Sequence, residues 1–573
     1  MKILLVNCRC EVTTRTRHPK LEHLGLGYLA AVLRENGYRV DILDANILDM
    51  DEHLTAYEIM QKCEGDGKDA VIGFTVFANN FLLSMAVLRM IRARGCKAHV
   101  TLGGQFVTFL CEEIFSDYPH VSSIVRGEGE YTLLELVRVL ETGGDWKSVR
   151  GIAYCSGDGN ITVNPARELA DMDKLPPPAR DTLPALFHAK HRVACMTSQR
   201  GCYMNCAFCT VRQFYGMTSG PTWRERDVNK VVDEMEALLK WNPYHGANAL
   251  YIWFCVDEFV GPHGKDGKTL GHRLGEEILR RGLYLRFEMD CRADNVSLDL
   301  FRMLKEAGLT RTYIGVETFS QDRLNAYKKG CTVEANLNSV KVHQELGINY
   351  EIGMIMFDPE MSYDEFRHNH EVIKDVMGYY HVNQPFLRLK LYRATPMERR
   401  LGGDRIHLLA PEDLEFYSYE FKDPRIQILW DLLHDVDERN EWAVDYMADL
   451  LDEGVITAGV LWAIIPHIRN TLSLFVDEAL AFAEKAGSTA DITPLREKFA
   501  LNFATDEKEF RRFGNYSRKL RAGSEDPFEL TINGHVIRYH PANNEFRPVV
   551  PLQDSRLIAF GVRQPLLRRI GSA

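Results

Sequence analysis

Along most of this 573-residue chain, apolar runs of strand length alternate with longer stretches of helical period. Strands are predicted at Lys2 to Asn7, Arg39 to Leu43, Ala70 to Thr75, Ala98 to Leu102 and Ser122 to Val125. Helices are predicted at Leu24 to Asn36, Leu54 to Cys63, Leu82 to Arg94, Thr108 to Phe115 and Tyr131 to Leu140. Gly37 and Gly95 follow two of them as C-caps. Alternation with short connections predicts an α/β fold, a doubly wound parallel sheet over residues 1–150. Residues 151–190 carry Pro176-Pro177-Pro178 and read as a stiff, extended linker. The alternation then resumes over residues 191–400, with strands at Val193 to Met196, Ala249 to Phe254, Leu285 to Asp290, Arg311 to Val316, Tyr350 to Met356 and Phe386 to Tyr392. Residues 401–573 are mainly helical, with a short hairpin expected from Phe528 to Tyr539 around Asn533-Gly534.

Composition narrows this picture. The chain is 45% hydrophobic and 26% charged, as in globular proteins, and its length calls for about two to four domains. A net charge of −11 leaves no basic face for nucleic acid, and Arg563, Arg568 and Arg569 read as a solvated tail. The most apolar region, Val71 to Leu88, contains Asn79 and Asn80, so no membrane-spanning helix is expected. The 13 cysteines fall between Cys8 and Cys331, and the chain opens directly on a strand pattern rather than a signal peptide. Reduced thiols in the cytoplasm fit better than a disulfide framework.

The chemistry concentrates in Cys202-Tyr-Met-Asn-Cys206-Ala-Phe-Cys209, just beyond a predicted strand. Soft thiolates select zinc, copper(I) or iron–sulfur clusters. A closed zinc site wants four ligands, and no further cysteine or histidine lies at finger spacing; Cys195 is the nearest extra thiol. Three ligands suit a cubane with one open iron. On spacing alone, zinc and plain reduced cysteines stay open. In the first sheet, ligands are expected beyond the carboxyl ends of the strands. That rim holds Cys8 to His23, Thr75 to Asn79 (with Thr75, Val76 and Phe77), Gly103-Gly104-Gln105 and Gly127 to Glu130 (with Gly127 and Glu128). A simple turn is the alternative for the paired glycines. The GxGxxG dinucleotide fingerprint is absent after the first strand.

The CxxxCxxC loop, with Phe208 before the last cysteine, resembles that of the radical S-adenosylmethionine (SAM) superfamily. The resemblance implies a partial (β/α)6 barrel and a [4Fe-4S] cluster on Cys202, Cys206 and Cys209. Its open iron would hold SAM, whose reductive cleavage gives a 5'-deoxyadenosyl radical. Arg292 is then expected to face the SAM carboxylate, and Glu317 in Gly315-Val-Glu-Thr318 its amino group or ribose. The segment Gly353 to Pro359 is expected near the adenine. Asp257 is a weak catalytic or substrate-binding candidate, with turn capping as the alternative. Ala394 stands where a glycine-containing loop is expected.

Residues 1–145 resemble the cobalamin-binding domain that precedes many such barrels. The matching pieces are Gly25-Leu-Gly-Tyr-Leu-Ala30, Thr101-Leu-Gly-Gly104 and Arg126-Gly-Glu-Gly-Glu130. The DxHxxG motif that elsewhere supplies a lower histidine is missing; His53 reads as a surface residue and His18 lacks the motif. Cobalamin without a protein lower ligand is therefore expected, facing Thr75-Val76-Phe77. Together the resemblances imply a cobalamin-dependent radical SAM methyltransferase. It would act on a poorly activated carbon of a small molecule or peptide and take electrons from a donor such as flavodoxin or ferredoxin. The alternatives are a cyclase, ring-contraction or rearrangement enzyme of the same kind, and a non-catalytic cobalamin-binding protein. A methylthiotransferase would need a second three-cysteine motif, which is absent. The C-terminal region reads as a lid or specificity domain.

Overall fold

The computed structural model describes residues 1–10, 20–63, 66–157, 159–189, 191–242, 250–402, 406–408, 416–452, 455–486, 490–520, 528–532, 535–540 and 545–548. His18, Asn533, Gly534 and the arginines near the tail lie outside them. The chain divides into two units, one of residues 1–13, 18–354 and 389–420, the other of residues 14–17, 355–388 and 421–573.

The first unit opens with a seven-stranded sheet: β1 (Lys2–Asn7), β2 (Arg39–Asp44), β3 (Ala70–Thr75), β4 (His99–Gly103), β5 (Ser123–Val125), β6 (Ile152–Cys155) and β7 (Ile161–Val163). Their order is β2-β1-β3-β4-β5-β6-β7, parallel as far as β5. β6 and β7 add an antiparallel edge, so the segment expected as a linker begins inside the sheet. β1 and β3 are near-continuous apolar runs because both of their faces are covered. Leu4, Val6, Ile72 and Phe74 belong to a core with helices Glu52–Cys63 and Ala78–Ala93. Ile3, Leu5 and Val71 belong to another with helices Leu24–Glu35 and Glu130–Glu141. The single helix expected at Thr108 to Phe115 is instead two short ones, Gln105–Thr108 and Cys111–Asp117.

Five further parallel strands follow: β8 (Val193–Met196), β11 (Tyr251–Phe254), β12 (Arg286–Arg292), β13 (Leu309–Glu317) and β14 (Asn349–Met354). Between the first two lies an antiparallel pair, β9 (Gln199–Gly201) and β10 (Trp223–Glu225). Side chains alternate along these strands. Phe254, Phe287, Met289 and Ile252 join the helix-covered core, while Glu288, Asp290, Arg311, Tyr313 and Glu317 occupy the opposite face. Asp227, Thr269 and Thr332 cap the intervening helices with their side chains. The strand expected over Phe386 to Tyr392 does not form. Only Leu391–Tyr392 is extended there, and it pairs antiparallel with Phe416–Tyr419. Leu387, Leu389 and Leu391 alternate with Arg388 and Lys390 at strand period, but the pairing partner of the extended end comes from the following segment.

A buried charge network fastens the linker inside this unit. Arg180 donates to Glu22 and Glu234 at 2.5 Å each and to the Cys195 carbonyl at 2.7 Å. The Ala179 N–H donates to the Gly27 carbonyl.

The second unit contains four long helices, Pro424–Asp452, Ala458–Asn470, Leu472–Lys485 and Thr493–Leu520, and a three-stranded antiparallel sheet. Phe528–Ile532 and His535–His540 pair as the expected hairpin. One stretch here bears on the expectation that no segment spans a membrane. Gly459–Lys485 is long and apolar enough to cross a membrane by length and composition, with a mean hydropathy of 1.2. It comprises two helices, and Phe475, Val476, Ala479 and Leu480 are buried.

Candidate functional site

In the first sheet the strand order reverses between β1 and β3, where ligands of doubly wound sheets bind. Buried amides brace that point. Asn7 donates to Asp44 at 3.0 Å, and Asn80 donates to Asn7 at 3.2 Å and to the Thr75 carbonyl at 3.3 Å. The Asn80 side chain in turn accepts the Phe77 N–H at 2.8 Å. Phe77 is left 43% exposed on the rim, while Thr75 and Val76 are buried. Gly104 has φ +120°, and a Cβ there would lie 2.7 Å from the Val76 carbonyl oxygen. The rim therefore needs glycine at that turn. The next residue, Gln105, donates to the Thr210 hydroxyl, beside Cys209.

The other rim segment has a different task. Glu128 accepts from Arg200 at 3.0 Å, from Arg224 at 2.7 Å and from the Ala170 N–H at 2.7 Å. Glu130 accepts from Arg200 at 2.6 Å. Burial works against the Glu128 charge, but the two guanidiniums outweigh it and hold the carboxyl below its ordinary range. Both arginines lie on the β9–β10 pair that leads into the cysteine loop. Glu128, expected at a cofactor, forms an ion-pair clamp in this structure. Gly127 (φ +72°) turns the chain into it against Met217.

The cysteine loop runs from β9 to helix Val211–Tyr215. It is pinned at Ala207, whose N–H donates to the Tyr327 carbonyl at 2.7 Å and whose carbonyl accepts the Met397 N–H at 2.8 Å. Phe208 packs edge-on against Tyr327. The Asp257 carboxylate accepts the Gly201 N–H at 3.0 Å, fixing the turn before Cys202. Burial pushes the Cys202 and Cys209 thiols up to about 11 and about 12. The sulfurs already receive donors: Arg292 lies 3.8 Å from Cys206 Sγ, and the Val211 N–H lies 3.4 Å from Cys209 Sγ. Cys195 is apart from the loop, buried in β8 and hydrogen-bonded to Cys255.

At the carboxyl ends of the following strands, Arg292 is held by Asp294 and by the Lys329 carbonyl at 2.6 Å. Lys329 bonds Glu317 at 2.7 Å. Burial alone would lower the lysine, but Glu317 and the nearby Cys206 raise it, so the ammonium stays charged. Glu317 has φ +67° at a break in the β13–β14 register. A non-glycine residue in that conformation stores strain, as functional positions often do. A Cβ on Gly315 would lie 2.9 Å from both Glu317 Oε1 and Lys329 Nζ. Gly353 lies against the Tyr313 phenol in the same unit, whereas Pro359, in the other unit, accepts the Lys422 N–H. Ala394 has φ +62°, so it takes the conformation glycine favours without being glycine.

Comparison with known proteins now bears on this geometry. Residues 11–137 match the family model of the B12 binding domain, and residues 196–373 match that of the radical SAM superfamily. The chain belongs to the radical SAM superfamily and carries a B12-binding domain ahead of the radical SAM domain. It is 28% identical over 363 residues to 4'-phospho-dehydrooxetanocin synthase of Priestia megaterium, an alignment spanning 60% of this chain and 47% of that relative. It is 28% identical over 373 residues to an uncharacterised methyltransferase of Pyrococcus horikoshii, spanning 64% of this chain and 76% of the relative. The fold is shared with the cobalamin-dependent SAM radical enzyme OxsB, solved with aqua-cobalamin and SAM bound. That likeness has a TM-score of 0.74 at 20% identity and covers 91% of this chain and 81% of OxsB.

The cofactors of this domain pair are cobalamin, SAM and a [4Fe-4S] cluster. In this radical SAM protein the donor set fits them. The loop offers three soft thiols, two of them already accepting N–H groups, as cluster sulfurs do. Among the described residues no three His, Cys, Asp or Glu side chains close round a bare ion. The rim offers an exposed Phe77 and the side-chain-free Gly103-Gly104 surface for a corrin. Two residues near these sites were not singled out from the sequence, Lys329 and His23. The sequence before Leu24 has none of the usual capping residues, so nothing in it flags His23, whose Nδ1 accepts the Leu26 N–H. The second unit adds a separate cleft of about 380 Å³, where His370 bonds Tyr379 and Asp477 at 2.7 Å each.

Proposed function

We propose that this radical SAM enzyme is a cobalamin-dependent methyltransferase acting on a poorly activated carbon of a small-molecule or peptide substrate. The observation that carries the reading is the contact of Gln105 with Thr210, which joins the glycine rim of the B12-binding domain to the residue after Cys209. A radical cannot wait for diffusion, so the sites of hydrogen abstraction and of methyl supply must share one cavity.

In this reading Cys202, Cys206 and Cys209 hold the cluster, and Arg292 faces the SAM carboxylate as a fixed guanidinium. Glu317, kept in place by Lys329, faces the SAM amino group or ribose, and Gly353 leaves room beside the adenosyl group. When bound, the cluster and SAM supply a hydrogen-abstracting radical and cobalamin supplies the methyl carrier. Asp257 fixes the turn into the cysteine loop and presents its outer oxygen to the substrate. Asp290, on the inner face of β12, is pushed up to about 7 by burial and by Glu288, so it can donate a proton in a hydrogen bond to a substrate acceptor. The clamps of Glu128 and Glu130 keep rim and loop from separating and admitting water. A flavodoxin or ferredoxin supplies electrons.

The test is an anaerobic incubation of reconstituted protein with a reductant, methyl-deuterated SAM and fractionated small-molecule extracts. Deuterated methyl in the cobalamin fraction and then in a product supports the reading. Release of 5'-deoxyadenosine with an isomerised, unlabelled product overturns it in favour of rearrangement or ring contraction. That second reading is kept because the similar 4'-phospho-dehydrooxetanocin synthase is not named as a methyltransferase.

A further inference from the structure

His23 stands at the switch point of the first sheet, between the loop after β1 and the end of β3. Its Nδ1 accepts the Leu26 N–H at 3.1 Å, capping the helix Leu24–Glu35. A backbone N–H can only donate, so Nδ1 carries no proton. Burial lowers the imidazole to about 4, so the ring is neutral and its one proton is on Nε2. Nε2 lies 3.0 Å from the Thr75 hydroxyl and must donate to it. The Thr75 oxygen is then an acceptor towards His23, and its own proton points away from the ring. Among the described residues that hydroxyl has no second partner in the protein. Phe77 packs beside the ring, 5.5 Å away by centroids, and Gly25 leaves it room, since a Cβ there would come within 2.9 Å of its Cε1.

We propose that His23 is a positioning residue that orients the Thr75 hydroxyl as a hydrogen-bond donor to cobalamin seated on the rim, and that it is not a ligand of the cobalt. The proposal rests on the cobalamin-dependent reading above. Both imidazole nitrogens are committed, one to the helix cap and one to Thr75. Coordination through Nε2 would break the Thr75 bond, and coordination through Nδ1 would uncap the helix.

The test uses the full chain, loaded with aquacobalamin and then reduced to the cobalt(II) state. Thr75→Val is expected to weaken cobalamin binding about fivefold, the worth of one hydrogen bond. Thr75→Ser should restore affinity to within about twofold. His23→Ala should weaken binding by a similar factor, and the double variant by no more than the single ones, because both act through one bond. If His23→Ala fails to fold, the Thr75 pair decides, since neither of its members touches the cap. The cobalt(II) EPR spectrum of protein labelled with 15N-histidine should match that of unlabelled protein. A histidine-dependent change in nitrogen splitting, unaltered binding by Thr75→Val, or additive losses in the double variant would each overturn the proposal. A wild-type chain that takes up no cobalamin would sink the cobalamin-dependent reading together with it.

Discussion

The Arg200 guanidinium meets the Glu128 carboxylate at 3.0 Å although 72 residues separate them. Arg200 precedes the cysteine loop by two residues, and Glu128 lies on the rim of the first sheet. The same guanidinium reaches Glu130 and stacks 5.0 Å over the Tyr28 ring. The strand entering the cysteine loop is therefore gripped by the B12-binding domain itself.

Removing that grip should be costly. Arg200→Met leaves Glu130 buried without its cation, and losing one partner of a buried pair costs about 3 kcal/mol. Urea denaturation followed by tryptophan fluorescence is expected to show an early transition at lower urea than wild type. A midpoint within error of wild type would show that the clamp contributes no net stability.

The pH dependence has a definite sign. Burial lowers His23 and His99 to about 4, below the ordinary histidine value. The unfolded chain therefore binds protons that the folded sheet refuses as pH falls from about 6.5 to about 4. Stability of the N-terminal sheet is expected to be fully present above about pH 6.5 and to decline across that window. His99→Gln should flatten part of the slope in denaturation curves recorded from pH 7 to 4. An unchanged slope would mean that carboxylates alone govern acid unfolding.

The thirteen cysteines should separate cleanly by iron content. Cys202→Ala, Cys206→Ala and Cys209→Ala are each expected to abolish most labile iron and sulfide after anaerobic reconstitution. Cys195→Ala and Cys255→Ala should retain wild-type levels, because that pair is apart from the loop. Iron analysis of the five variants checks this, and loss of the cluster in Cys195→Ala would recast the ligand set.

Gly315→Ala should act on SAM alone. The added methyl intrudes at 2.9 Å on both Glu317 and Lys329 and must displace their ion pair. SAM affinity, measured by calorimetry, is expected to fall about tenfold, the equivalent of about 1.4 kcal/mol, while cobalamin content stays unchanged. Equal SAM affinity would separate Glu317 from SAM binding.

Much of this architecture is legible in local sequence. Parallel strands buried on both faces leave apolar runs such as Lys2–Asn7 and Ala70–Thr75, and these appear where expected. The cysteine spacing marks its loop directly, because all three thiols come from one local segment. Long-range pairings leave no such trace. Nothing near Glu128 announces Arg200 and Arg224, so its ion pairs could not be read from the sequence. Lys329 carries no motif, and its meaning comes from Glu317 and Arg292 folding over it. The alternation from Phe386 to Tyr392 has strand period, yet only its end is extended, and its partner lies some twenty-five residues onward in the chain.

Arg180 gives the protein a consequence for recombination. It ties Glu22 of the first sheet's opening loop to Glu234 of the helix Val228–Trp241, from a segment belonging to neither. The two halves are therefore not interchangeable cassettes. A chimera joining this B12-binding domain to a foreign barrel would bury an orphaned charge unless Glu22, Arg180 and Glu234 travel as a set. Grafts cut at residue 150 should yield insoluble protein where cuts that keep the triad do not.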